Sequence, residues 1–490
     1  MEAELEAIRK NKTWELCNLP FGRKVIGSKW VFKMKRDGNN FQRYKARICA
    51  KGYSQIAGLD FEETFAPVVR IESVRALLAI AVFFNLHILH VDCKTAFLNG
   101  NSDLELYIQQ PEGFVNITHP NMVLRLNKSL YGLKQAPRIW YLLLCSQIHS
   151  LGFQACSSDS SIYYSQTLRV ILAVYVDDIL IFGKSKHACD LIYDALSKQF
   201  RMEYLGPPKT FLGLNFIRTP TTISINQSGY ISRMLARFQM TTCAPAQTPL
   251  NASLPLQKGQ SWEKRADRTH YQELIGSLNH LAVYSRPDIS FAVSKLAQFS
   301  SDPTLIHLRS AQHVLRYLQG TKDLAITYGN AKDLTPKGFA DADWGSDKDD
   351  RKSMTGYVFI INNGPVSWTS HKQTTVATST MEAEYMSLSD ASREAIAQQQ
   401  LYIDLNIQNS TPLLYSDNQA ALAIAQNPVH HQRSKHIDIH NHFIKNAVQN
   451  DQVKIDYVPT ANQTADVLTK ALGPQKHVRC IEGLYGRKSS

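Results

Sequence analysis

None of the eight cysteines forms a Cys-x-x-Cys pair, and no apolar run is longer than the nine residues Ala76 to Phe84. The first absence argues against a structural zinc and for a reducing compartment. The second excludes a bilayer-spanning helix, which needs about 20 apolar residues. Internal repeats and low-complexity tracts are also missing, and Met1-Glu2-Ala3-Glu4 is acidic and helical in character, unlike a secretory signal. Acidic residues are the minority charge, 42 against 54 lysines and arginines, for a net charge of +12. That excess suits a polyanionic partner, with solubility as the plainer alternative. At 490 residues, 44% of them hydrophobic and 20% charged, the chain has material for two or three globular domains.

What is present centres on Tyr175-Val176-Asp177-Asp178. Val170 to Val174 precede it and Ile179 to Phe182 follow, two short β-branched runs that read as buried strands. Paired carboxylates at the tip of an apolar hairpin repel each other and resist losing water. A hard cation such as Mg²⁺ or Mn²⁺ would remove both objections; the plainer reading is that turns favour Asp. Upstream, His87 to Asp92 reads as a strand ending on Asp92, so a third carboxylate could face that hairpin. Lys29 to Arg36 alternates basic and apolar residues. Asp37-Gly38 supplies a turn, and Phe41 to Lys51 returns, giving either a lysine-guarded edge or a phosphate-facing hairpin. Helices are expected over Ser73 to Leu86, from Pro137 to Gly152, after Ser185, and through Ile231, Met234, Leu235 and Phe238.

Prolines 245, 249 and 255 mark residues 241–268 as a linker. Two helices, Pro287 to Phe299 and Thr304 to Leu318, are expected after it. Then come three strands (Gly338 to Asp343, Gly356 to Ile361, Pro365 to Ser370) and a long helix from Met381 to about Leu401. A strand from Leu413 to Asp417, a helix from Gln419 to Gln426, a strand from Val453 to Val458 and a helix from Gln463 to Leu472 complete an α/β domain. Asp341, Glu382, Asp417 and Asp466 sit at element ends, and four such carboxylates suggest a second metal cluster.

These motifs, in this order, resemble the reverse transcriptase–ribonuclease H region of a copia-type LTR retrotransposon Pol polyprotein. The resemblance runs through Lys29-Trp30-Val31-Phe32-Lys33, Tyr44-Lys45-Ala46-Arg47 and Val91-Asp92-Cys93-Lys94-Thr95-Ala96-Phe97-Leu98-Asn99-Gly100. Leu130-Tyr131-Gly132-Leu133-Lys134-Gln135-Ala136-Pro137-Arg138 and the Tyr175 hairpin follow. Ala340-Asp341-Ala342-Asp343-Trp344, Glu382-Ala383-Glu384-Tyr385, Asp417-Asn418-Gln419 and Lys435-His436-Ile437-Asp438 continue it. It implies an α+β chain: a right-hand polymerase with fingers, palm and thumb over 1–245, a linker and helical connection over 246–332, and an α/β ribonuclease H-like domain over 333–490. Asp92, Asp177 and Asp178 would hold two Mg²⁺ in the palm, and Asp341, Glu382, Asp417 and Asp466 two more in the ribonuclease H site, Mn²⁺ being the alternative ion. Phe97 matches the steric gate against a 2′-hydroxyl. Lys45 or Arg47 would meet the incoming triphosphate, Gln135 would position the template, and Tyr175 is a further substrate contact. Asp343 is a weaker candidate ligand. His436 and Asp438 recur in the family without an assigned role, and His430 and His431 read as solvent or turn residues.

Cys93 stands where the family commonly has valine, Thr380-Met381 replaces a Ser-Thr pair, and Pro207-Pro208 interrupts a hairpin usually free of proline. The retroviral histidine near the last Asp is not evident. The implied partners are an RNA template, a DNA primer, the RNA–DNA hybrid, deoxynucleoside triphosphates and other parts of Pol, with no membrane. The implied location is a cytoplasmic virus-like particle or the nucleus. The competing reading is a catalytically silent remnant that binds nucleic acid.

Overall fold

The computed structural model describes residues 1–37, 40–407, 411–426 and 443–486. Gly38 of the expected hairpin turn, His430, His431, His436 and Asp438 lie outside these residues. No helix among those described is long and apolar enough to cross a membrane. The chain forms two compact units, one built from Met1–Val69 and His87–Pro207, the other from Arg70–Leu86 and Pro208–Ser490. The domain limits expected at 245 and 332 both fall inside the second unit.

The first unit is organised by a six-stranded sheet. Its order is Met202–Gly206, His87–Cys93, Asp178–Gly183, Val170–Tyr175, Ile162–Ser165 and Gln154–Ala155. The three middle strands are apolar on both faces, with Val91, Leu172, Ala173, Ile179, Leu180 and Ile181 all buried. Helix Ala136–Ser150 covers the sheet with Trp140, Leu144 and Ile148. Helix Lys186–Ser197 adds Cys189, Ile192 and Leu196, and the Ser185 hydroxyl caps it by accepting from Ala188 N–H. A two-stranded ribbon, Ser28–Asp37 with Asn40–Ala50, carries the alternating basic stretch.

In the second unit, a five-stranded sheet runs in the order Gly364–Lys372, Met354–Ile361, Lys337–Asp343, Leu413–Ser416, Lys454–Tyr457. The first three are antiparallel and the last two join in parallel. Helix Thr380–Asp404 lies against this sheet. The segment expected as a linker is a docked strap. Leu250 and Leu256 are buried among helices, and backbone carbonyls of Thr248 and Gln257 meet His313 and His307. Proline spacing disclosed the lack of periodicity but not the two leucines that pin the strap. Three helices follow it, not two, the additional one being Arg268–Tyr284. Its signal was available: Asp267 accepts from His270 N–H as a cap, and Tyr271, Leu274, Ile275, Leu278 and Leu281 recur at helical spacing. At the end, Thr464–Leu468 is a single short 3₁₀ segment, and the last helix is Pro474–Tyr485.

Helix Ile71–Phe83 belongs to this second unit although strands of the first flank it in sequence. Arg75 anchors it, fully buried. Its Nε donates to Val366 O at 2.7 Å and its Nη1 to Val283 O and Tyr284 O at 2.7 and 3.0 Å. The guanidinium stacks 3.7 Å from the centre of the Trp368 ring. Asn362 Nδ2 adds a bond to Ala79 O at 2.9 Å. Replacing Arg75 with Met strands three carbonyls in the interior. It is expected to cost about 3 kcal/mol, read as a lower urea midpoint for the second unit's transition; a midpoint equal to the parent's would refute the anchor.

Candidate active sites

In the first unit the antiparallel register sets Asp178 directly opposite Asp92 on neighbouring strands. Asp177 occupies the hairpin turn between Tyr175 and Asp178, which pair across it. Val176, the first turn residue, has φ of 56°, a left-handed conformation that β-branched residues resist. Two bonds hold the strained turn: Trp140 Nε1 donates to Val176 O at 2.7 Å, and Cys93 N–H donates to Asp177 O at 2.7 Å. The three carboxylates feel one another. Burial pushes the Asp177 pKa up, and the charges of Asp178 and Asp92 add to it. Asp92 Oδ2 accepts from Lys94 Nζ at 2.6 Å, and the same ammonium pairs with Glu203. Burial disfavours the Lys94 charge, but these two bonds prevail and raise its pKa. Asp178 Oδ1 lies 3.1 Å from His90 Nε2.

Around these carboxylates, Phe97 is half-buried with its ring edge-on to Tyr131, centroids 4.9 Å apart. Arg47 stacks over the same Tyr131 ring at 4.5 Å. Lys45 stands opposite Lys33 across the ribbon, two like charges in direct register. Gln135 is buried. Its Nε2 donates to Asp60 O at 2.9 Å and its Oε1 accepts from Gln55 Nε2 at 3.1 Å. Its side chain therefore holds the 55–60 loop in place.

In the second unit, parallel pairing puts Phe339 alongside Tyr415. Two residues further along the chain are Asp341, still within its strand, and Asp417, one residue past the end of strand Leu413–Ser416. Ligand oxygens of Asp341, Glu384 and Asp417 lie within 4.8 Å of one another. The carboxylate that helix Thr380–Asp404 contributes is thus Glu384 and not Glu382, a correction with a physical cause. Ser379 caps this helix by accepting from Glu382 N–H at 3.2 Å, and Glu382 Oε2 turns back to Thr378 N–H at 2.6 Å. Ser379 with Glu382 three residues on is a capping-box pattern, so Glu382 serves the helix end. Glu384 shares the inward face with Leu388, Ala391 and Ala395. That i, i+4, i+7, i+11 spacing was the signal that could have found it.

Glu384 Oε2 is buried without a hydrogen-bond partner. Burial, then the charges of Asp341 and Asp417, push its pKa far up. Burial likewise raises Asp341, with Lys470 opposing. Asp466 is buried near Asp341, but its two oxygens are ion-paired to Lys470 and Lys476. Asp343 is half-buried at the end of the same strand as Asp341. Both sets offer hard oxygen donors of the kind that Mg²⁺ takes. The mutually repelling trio, with Asp341 and Glu384 buried, Asp417 half-buried and one oxygen of Glu384 unpartnered, fits a divalent ion.

Residues 11–252 match a family model described as reverse transcriptase (RNA-dependent DNA polymerase). The chain is 38% identical to the retrovirus-related Pol polyprotein from transposon TNT 1-94 of Nicotiana tabacum, over 100% of this chain and 38% of that protein. It is 41% identical to the Pol polyprotein from transposon RE2 of Arabidopsis thaliana, over 96% and 33%. The putative transposon Ty5-1 protein of Saccharomyces cerevisiae is 35% identical, over 62% of this chain and 100% of its own length. A solved foamy viral protease–reverse transcriptase in complex with RNA/DNA hybrid aligns with a TM-score of 0.46 at 12% identity, over 94% of this chain and 54% of that one. The chain spans about a third of the length of the two plant Pol polyproteins, 38% of one and 33% of the other. Matched by the reverse transcriptase model and collinear with these relatives, the chain belongs to the reverse transcriptase family found in copia-type transposon Pol polyproteins.

Proposed function

We propose that this chain is an RNA-directed DNA polymerase that copies retrotransposon RNA into DNA, with a ribonuclease H that cleaves the RNA strand of the hybrid. One observation carries the polymerase reading: Asp178 opposite Asp92 across adjacent strands, with Asp177 in the intervening turn, in a chain of this family. We assign fingers, palm and thumb to residues 1–245, a connection to 246–332 and a ribonuclease H-like domain to 333–490. The implied substrates are an RNA template, a DNA primer, deoxynucleoside triphosphates and the hybrid.

Asp92, Asp177 and Asp178 would hold two divalent ions. When bound, these ions lower the pKa of the primer 3′-hydroxyl and neutralise the triphosphate. The residues around them do the rest. The Phe97 ring, braced on Tyr131, blocks a 2′-hydroxyl. Arg47 or Lys45 receives the triphosphate. Tyr175 pairs with Asp178 at the turn and borders the reacting ends. Gln135 acts on the template indirectly, by fixing the 55–60 loop. In the second site Asp341, Glu384 and Asp417 would hold a divalent ion against the RNA phosphodiester. Selection of RNA there rests on 2′-hydroxyl contacts across the minor groove.

The two activities separate by substitution. Asp178→Asn is expected to lower Mg²⁺-dependent extension on a primed RNA template by at least about 100-fold and leave hybrid cleavage intact; Asp417→Asn is expected to do the reverse. Extension by Asp178→Asn at the parental rate would overturn the polymerase assignment. Swapping Phe97 for Gly is expected to admit ribonucleotides, measured as the ratio of ribonucleotide to deoxynucleotide incorporation, and an unchanged ratio would remove the gate. Glu384 gives a pH signature. Its folded pKa lies above the usual 4.5, so the folded chain keeps a proton that the unfolded chain has released. Its contribution to stability therefore falls as pH rises from the unfolded value toward neutrality. Glu384→Gln is expected to raise the metal-free melting temperature at neutral pH and flatten its pH dependence, whereas Glu382→Ala, which removes the acceptor for the Thr378 N–H, is expected to lower it, at a cost of about 1 kcal/mol. Calorimetry with chelator distinguishes the two.

A further inference from the structure

Asp466 is fully buried, yet it stands outside the trio of Asp341, Glu384 and Asp417. Lys470 lies between Asp466 and Asp341. Its Nζ is 2.5 Å from Asp466 Oδ1 and 3.3 Å from Asp341 Oδ2. Lys476 pairs with the other oxygen of Asp466. Lys470 follows Asp466 by four residues across one 3₁₀ segment, and Thr469 between them donates its hydroxyl to Asp341. Lys476 is in the first turn of helix Pro474–Tyr485. That helix is bolted down by a buried polar network. Tyr485 donates to Asp288 Oδ1 at 2.7 Å, and His477 Nε2 lies 3.1 Å from the Tyr317 hydroxyl. Asp288 is itself ion-paired to the buried Arg286 at 2.6 Å.

A metal ion between Asp341 and Asp466 would have to displace Lys470 and leave a positive charge beside it in a poorly hydrated place, which Coulomb repulsion opposes. An ammonium already there supplies positive charge at the same point. A third of the Lys470 side chain stays open to solvent, so it can meet a phosphate as well as the carboxylates.

We propose that Lys470 is the resident cation of this cluster: one divalent ion binds through Asp341, Glu384 and Asp417, and the Lys470 ammonium, with Lys476 steadying Asp466, takes the position that a second ion would occupy. The inference rests on the reading of Asp341, Glu384 and Asp417 as a metal site. It replaces the expectation of two ions in this site with one ion and one side chain.

The test counts Mn²⁺ by electron paramagnetic resonance. The probe is Mn²⁺ alone, added to the intact chain carrying Asp92→Asn and Asp178→Asn, so that the first cluster is weakened. The expected count is one tightly bound ion. Lys470→Gln is expected to bind a second and give the spin-coupled signal of paired ions, while Lys470→Arg keeps one. Asp417→Asn is expected to lose the tight ion. Two ions in the Lys470 parent, or a single ion in folded Lys470→Gln, would overturn the role of Lys470 and leave the metal site standing. Undiminished binding in Asp417→Asn would instead overturn the metal site itself. The parental count needs no substitution at Lys470, so the proposal stays open to refutation even if Lys470→Gln does not fold.

Discussion

Carboxylates brought to one place repel, and each structural unit must answer that repulsion. Both do so with a lysine close in sequence to an acidic member. Lys94 follows Asp92 by two residues and bridges it to Glu203; Lys470 follows Asp466 by four and bridges it to Asp341. The proximity is useful physically, because a counter-ion on the same short segment arrives with the acid and loses little additional chain entropy. Compensation is incomplete in both clusters. Asp177 in one and Glu384 in the other keep raised pKa values, and Glu384 keeps an unpartnered oxygen. The residual negative charge is what a divalent ion would answer.

Holding like charges together requires stiff supports, and the supports are apolar or deeply buried. The Asp177 turn ends a hairpin whose strands are buried except at Tyr175 and Asp178 beside the turn, and Trp140 ties the strained Val176 to the helix behind it. In the second unit Asp341 lies within strand Lys337–Asp343, Asp417 directly follows the parallel strand Leu413–Ser416, and Glu384 projects from a helix of 25 residues packed on that sheet. Arg75 and Arg286 extend the same principle to cations. Each is fully buried, and each is satisfied by carbonyls, carboxylates or an aromatic face.

Much of this was legible from the residues. Strand and helix positions followed from apolar runs and periodicity, and the order of the motifs named the family. Where the structure departs from local pattern, the causes are physical. Glu382 and Glu384 share one motif and one helical turn; the Ser379 cap and the spacing of Glu384 with Leu388, Ala391 and Ala395 tell them apart. The helix Arg268–Tyr284 begins directly after the proline-rich strap, and its cap Asp267 lies inside the aperiodic stretch. The strap over 241–268 has no periodicity, and nothing local separates its anchoring Leu250 and Leu256 from the exposed Leu254 between them.

By itself the sequence determined which local elements form and which residue types sit at their ends, since periodicity, caps and turn chemistry act over a few neighbours. Only tertiary structure decided which carboxylates meet, that helix Ile71–Phe83 joins the second unit, and that Lys470 stands between Asp341 and Asp466. Those outcomes depend on contacts between residues tens to hundreds of positions apart, and a charge's environment is set by whatever the fold brings beside it.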